Sequence, residues 1–267
     1  MLSYQHGFHA GNRADVLKHA ILDAILTPLA KEGGNVLHVE THAGRGRYDL
    51  TGPQASKTGE AREGVASLLG LERPPRPLRP WLDRVRAAGL TAYPGSPDLA
   101  AQCLGDTGRL VLFERHPTEY EALRTTFAGD RRVQVKKGDG YGEALRLQPR
   151  RGETMTVFVD PSYETMQDMQ DLAEWAPRAL DRWPKAQLIC WLPLFKDERE
   201  AEFGAFLADL EDGVVAGARW PAPSDRDTAL AGSALVAYRV PQSVRDAATS
   251  IAASLQSLWN TGTSKPG

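Results

Sequence analysis

The sequence predicts an α/β fold built on a doubly wound, mostly parallel sheet. Three observations predict it: short apolar runs rich in β-branched residues, helical patterns between several of them, and the lack of an internal repeat of solenoid or propeller period. The apolar runs, at 35–40, 109–114, 132–135, 155–160 and 187–192, are nearly continuous in hydrophobicity, as strands buried on both faces must be. With 267 residues, 42% hydrophobic and 25% charged, the chain can bury one large or two small cores, and neither a disordered chain nor a scaffold peptide fits.

In chain order, Asn12 is placed as the N-cap of a first helix, with Asp15 three positions on and Leu17, Ile21, Ala24 and Ile25 sharing a face. Pro28 is expected to end or kink it. Lys18 and His19 fall off the apolar stripe, which by spacing alone describes a solvated face. Strand 35–40 follows. From about 47 to 94 the alternation breaks, because a Gly/Pro/Arg-rich stretch around 72–80 divides two short helical patterns; this is read as an inserted helical subdomain. Strand 109–114, helix 117–127, strands 132–135 and 155–160, helix 167–182, strand 187–192 and helix 198–210 resume the alternation. The runs 214–220 and 233–240 leave no room for a crossover helix and are expected as an antiparallel pair at one sheet edge. Residues 260–267, small and polar, are read as a disordered tail. The resulting division is a main domain of 1–46 with 95–259, an insertion of 47–94, and the tail.

Charge excludes a global nucleic-acid field: 32 Lys/Arg against 34 Asp/Glu give a net −2. A nucleic-acid partner must be held locally, and between Ala43 and Arg86 nine Lys/Arg face only five Asp/Glu. Cys103 and Cys190 are too few for a disulfide framework and show no zinc spacing. His6-x-x-His9 has no further ligand at zinc spacing, so no metal site is read from the sequence. There is no apolar run of membrane-spanning length and no secretory signal pattern, and a cytoplasmic protein in a reducing compartment is expected.

Four carboxylates end successive strands: Glu40, Glu114, Asp139 and Asp160. In an open α/β sheet the carboxyl ends converge on one crevice, and ligands bind there. Glu40 precedes Gly44-Arg45-Gly46, a turn that lets backbone approach a ligand; Asp49 stands where a dinucleotide fingerprint needs its third glycine, and no P-loop is present. Glu114 is placed to bind ribose hydroxyls. Gly138-Asp139 follows the third strand, where it serves equally as a helix cap. The most specific stretch is Asp160-Pro161-Ser162-Tyr163. It suits an exocyclic amine on a purine: Asp160 and the Pro161 carbonyl accept the two amine protons while Tyr163 stacks on the base. The same letters also fit a strand-end cap and a turn.

Together with residues 1–19 (Met1-Leu2-Ser3-Tyr4-Gln5-His6 through Lys18-His19), the stretch Thr41-His42-Ala43-Gly44-Arg45-Gly46-Arg47-Tyr48 and Tyr93-Pro94-Gly95-Ser96-Pro97, this tetrapeptide resembles the RlmJ family. These are bacterial methyltransferases acting on the N6 amine of one adenine in 23S ribosomal RNA with S-adenosylmethionine as cofactor. The resemblance covers nearly the whole chain. It implies a Rossmann-like class I methyltransferase sheet of seven strands with a small helical insertion that contributes to RNA binding. It implies that His19, His42, Ser96, Glu114, Gly138 and Asp139 contact the cofactor, that Asp160 is catalytic with Pro161 and Tyr163 beside it, and that Tyr4 and Lys18 lie at the substrate entrance. One position departs from the family's usual D-P-P-Y: Ser162 replaces the second proline, which bears on loop rigidity while leaving the groups that would touch amine and base. The implied substrate is 23S RNA, naked or in an assembly intermediate, met by a monomer. The alternatives are a DNA adenine N6-methyltransferase, a nucleic-acid-binding module that has lost catalysis, or a generic α/β enzyme acting on a small-molecule amine.

Overall fold

The computed structural model describes residues 6–221 and 229–261. After a 3-10 turn at His6–Phe8, helix α1 spans Arg13–Lys31. Asn12 caps it, its Oδ1 accepting from the Asp15 N–H at 2.9 Å. Pro28 does not end the helix. It sits in the last turn, where its missing N–H removes a single bond before the helix stops at Lys31. Every residue from Ala14 to Asp23 is buried, Lys18 and His19 among them, so the solvated face suggested by spacing is not there. The reason is tertiary: α1 is enclosed by several elements instead of lying on a surface, as the following elements show.

Strand β1 is Asn35–Glu40. The insertion begins with a two-residue strand, Arg47–Tyr48, paired antiparallel with Tyr93–Pro94 at its other end. Between them lie α2 (Pro53–Thr58), α3 (Glu60–Glu63), α4 (Val65–Leu69) and α5 (Arg79–Ala88). Leu78, Trp81, Leu82 and Val85 are buried in the same apolar core as the sheet, so the insertion is packed onto the main body. At one point its backbone touches that body directly. Val65 N–H donates to the Gly11 carbonyl at 2.9 Å, and a Cβ on Gly64 would fall 2.0 Å from the same oxygen, which only glycine permits.

The remaining elements are α6 (Ser96–Leu104), β2 (Gly108–Glu114), α7 (Pro117–Thr126), β3 (Val133–Lys137), α8 (Gly140–Ala144), β4 (Glu153–Val159), α9 (Met166–Arg182), β5 (Gln187–Phe195), α10 (Ala201–Asp209), β6 (Val214–Arg219), β7 (Leu230–Tyr238) and α11 (Gln242–Thr261). Helix α11 takes in Asn260 and Thr261, which sequence had given to the tail; residues 262–267 lie outside the described residues. The sheet has seven strands in the order β3-β2-β1-β4-β5-β7-β6, the first five parallel. Strand β7 runs antiparallel to both β5 and β6, so the expected antiparallel edge pair is present. Helix α1 packs against α6, α5, α11 and β7, which together bury it from Ala14 to Asp23. The strand order reverses at β1, whose neighbours are β2 and β4, and the crevice above that switch point is where the carboxylates gather.

Candidate active site

Strand register decides which carboxylate faces the crevice. Glu40 pairs with Leu112 on one side and Phe158 on the other, so Glu114 and Asp160 each stand two residues further along their strands. Glu40 therefore lies beneath the floor, fully buried, accepting from Ser96 Oγ at 2.7 Å and bonded to His38 Nε2 at 3.1 Å. Burial raises its pKa, and those two partners partly offset the shift.

A cavity of about 170 Å³ opens above this floor. Its wall includes His19, His42, Gly44, Ser96, Glu114 and Asp160. Gly44 and Gly46 adopt φ of +63° and +80°, so the turn needs glycine at both places. The Glu114 carboxylate is oriented by backbone: Oε2 accepts from Gly44 N–H at 2.8 Å and Oε1 from His116 N–H at 2.6 Å. Burial raises its pKa despite these two donors. Each oxygen keeps a second lone pair. His19 shares a hydrogen bond with the Tyr93 hydroxyl at 2.9 Å. Burial, with Arg115 nearby, lowers the His42 pKa to about 4, so this ring is a neutral donor or acceptor at pH 7.

Gly138 and Asp139 are placed beside the cavity and are not among its lining residues. Asp139 caps α8, its carboxylate accepting from Tyr141 N–H at 3.2 Å and Gly142 N–H at 3.1 Å. It thereby holds Tyr141, whose ring meets His42 edge-on at 4.9 Å. Tyr4 lies outside the described residues.

The Asp160 loop leaves β4 and is fixed at its third step. Tyr163 sits at φ +48°, a left-handed conformation rare for a bulky residue. Its hydroxyl donates to the Trp191 carbonyl at 2.6 Å, and its ring meets the Trp191 ring edge-on at 5.3 Å. That anchor ties the loop down one residue beyond Ser162. Lys18 reaches over from α1: its Nζ donates to both Asp160 oxygens, at 2.8 and 3.1 Å, lies 3.1 Å from Asp15 Oδ1, and sits 4.3 Å from the Trp191 ring centroid. Burial opposes its charge, but the two carboxylates outweigh burial and its pKa ends above the ordinary lysine value.

A second, larger basin of about 670 Å³ lies on the other side of Lys18, Ser162 and Trp191, which line both spaces. Its wall includes Tyr163, Phe195 and Trp220. Trp191 was not singled out from sequence because it sits inside an apolar run that reads as core. The available signal was its place: a bulky aromatic one residue past Cys190, the partner of Val159, and so level with Asp160. Asp15 was read only as a helix-start acid.

A family model described as ribosomal RNA large subunit methyltransferase D, RlmJ, matches residues 34–264. The Escherichia coli (strain K12) protein named ribosomal RNA large subunit methyltransferase J is 36% identical over 198 residues, covering 73% of this chain and 71% of that protein. A Haemophilus influenzae protein of the same name is 34% identical over 199 residues, with the same shares covered. A crystal structure of a Legionella pneumophila protein superposes with a TM-score of 0.84 at 27% identity, over 95% of both chains. The family expected from the motifs is thus matched along most of the sequence, and the chain belongs to the RlmJ family of ribosomal RNA large subunit methyltransferases.

Proposed function

We propose that the chain transfers a methyl group from S-adenosylmethionine to the N6 amine of an adenine in 23S ribosomal RNA. The observation that carries this reading is the meeting of the two spaces at Lys18, Ser162 and Trp191, beside Asp160. The smaller one carries groups suited to the cofactor: Glu114, aimed by two backbone N–H groups, suits a ribose diol, and His19, the neutral His42 and Ser96 offer hydrogen-bonding groups along the wall. Gly138 and Asp139 then act through α8 and Tyr141. When bound, the cofactor supplies an electrophilic methyl group on a sulfonium. The basin admits the base.

The chemistry left to the protein is placement. Asp160 accepts one amine proton's hydrogen bond and the Pro161 carbonyl the other, which localises the lone pair that the purine ring otherwise delocalises. Tyr163, pinned by its hydroxyl, offers a fixed wall for the extruded base. Holding amine and methyl in line is worth ~7–11 kcal/mol, more than general-base assistance of about 10²–10⁴-fold. Asp160 is therefore an orienting and polarising group. Lys18 sets a positive charge against both its oxygens and stands at the entrance; the basic insertion gives the RNA local positive charge. Among the described residues no helix is long and apolar enough to cross a membrane.

Incubation with methyl-labelled cofactor and in-vitro-transcribed 23S RNA, beside unmethylated genomic DNA, tests the reading after digestion to nucleosides. Labelled N6-methyladenosine from RNA is expected. Label in DNA alone would favour the DNA enzyme, and cofactor binding without label in either would favour a binding module. Deproteinised RNA compared with assembling subunits separates the two forms of substrate, and light scattering of the free chain tests the monomer.

A narrower outcome is expected at Glu114. Glu114→Gln has one oxygen for the two N–H groups now served by two, and its NH₂ confronts the other. Cofactor Kd rises by about tenfold or more in a calorimetric titration, with transfer at saturating cofactor little changed.

A further inference from the structure

Asp15 is a fully buried carboxylate for which the proposed reaction has no use. Its Oδ2 accepts from the Gly11 N–H at 2.9 Å and its Oδ1 faces the Lys18 ammonium at 3.1 Å. Closing the turn before α1 does not call for a charge, since an amide oxygen would accept from Gly11 equally well. A buried ionised carboxylate costs several kcal/mol in desolvation unless a cation faces it. Lys18 supplies a cation at Oδ1.

The ammonium has three N–H donors and, as it stands, spends two on the oxygens of Asp160. An arriving amine must take one of those oxygens. Lys18 yields it most readily to another anion already within reach, because once cofactor and base fill the two spaces it lines, an ammonium with 3% side-chain exposure has no water to turn to. Asp15 stands one helical turn away, on the same rigid element, and its own orientation is set by backbone. That backbone is itself held: Gly11 adopts φ +76°, and its carbonyl accepts from Val65 N–H in a space that a side chain at Gly64 would fill.

Resting on the reaction proposed above, we propose that Asp15 is a positioning residue that retains the Lys18 ammonium as Asp160 turns one oxygen to the substrate amine. The ion pair across the site can then open without stranding a buried charge. Without Asp15, Lys18 stays on both oxygens of Asp160 and competes with the substrate.

The test is Asp15→Asn, which keeps an acceptor for Gly11, compared with Lys18→Met and with the double variant. Single-turnover methyl transfer at saturating RNA and cofactor is expected to fall about 30-fold in Asp15→Asn, while cofactor Kd and RNA KM stay within about threefold. The double variant is expected to be no slower than Lys18→Met alone, because Asp15 acts only through Lys18. Independently of any activity, the double variant should melt above Lys18→Met, since it no longer buries Asp15 beside a missing cation. Losses that multiply in the double variant would overturn the proposal, as would a wild-type rate in Asp15→Asn. So would a loss of cofactor affinity together with melting temperature in Asp15→Asn, which would assign Asp15 to folding alone. Rates are taken relative to wild type on whichever nucleic acid accepts the methyl group, so failure on RNA counts against the reading above, and the melting comparison still decides the pairing.

Discussion

Asp160→Ala is expected to lower methyl transfer by at least about 10³-fold while leaving cofactor Kd within about threefold. Two effects combine: the amine loses the acceptor that localises its lone pair, and near-attack geometry is lost with it. The rest of the wall proposed for the cofactor is expected to survive, because Glu114, His19, His42 and Ser96 take their positions from β1, β2, α1 and α6 and not from the Asp160 loop. Alanine also deprives Lys18 of one of its two anions, so Asp160→Asn serves as the companion: it keeps an acceptor oxygen without the charge and should fall between wild type and alanine. Single-turnover incorporation of labelled methyl and calorimetric cofactor binding read the two quantities separately. Transfer by Asp160→Ala at the wild-type rate would refute the assignment.

The second large effect is expected at Lys18. Lys18→Met fills much the same volume but leaves Asp15 and Asp160 without the cation between them, one fully buried and the other with a side-chain exposure of 14%. Removing one partner of a buried ion cluster costs about 3–5 kcal/mol, here lowering the melting temperature by on the order of 10 °C. Transfer falls as well, by about 10²-fold or more, since Asp160 loses the ammonium that fixes both its oxygens. Thermal melting and single-turnover rates on the same preparation check both. A variant that melts with wild type would mean that water reaches the two carboxylates.

Much of this was legible in the sequence, for identifiable reasons. The parallel strands announce themselves because burial on two faces leaves runs such as Val-Leu-Phe before Glu114 with hardly a polar residue. The G-x-G turn and the carboxylates that end the strands follow from the same pattern. Helix α1 was misjudged because amphipathicity presumes one wet face, whereas sheet, insertion and α11 enclose this helix and leave its ion pair inside. Helix α6 was not singled out for a similar reason: nearly all its residues are buried, so it carries little polar contrast. Register explains Glu40. No spacing argument says that it stops two residues short of its neighbours and so becomes part of the floor. Trp191 and Asp160 meet Lys18 across segments far apart in the chain, which local pattern does not encode, whereas Asp15 lies one turn from Lys18 on its own helix and spacing alone gives it only a helix-start place.

The enclosure of α1 also orders events in time. The first long helix of the chain completes its packing only against β7 and α11, the last strand and the last helix. Such long-range contacts slow folding, because the connecting chain must be closed before they form. During synthesis, at about 5–20 residues per second, the segment bearing Lys18 waits for tens of seconds before its enclosing partners emerge. A nascent chain therefore leaves Lys18 hydrated and apart from Asp160, and the proposed site is expected to be completed late in folding.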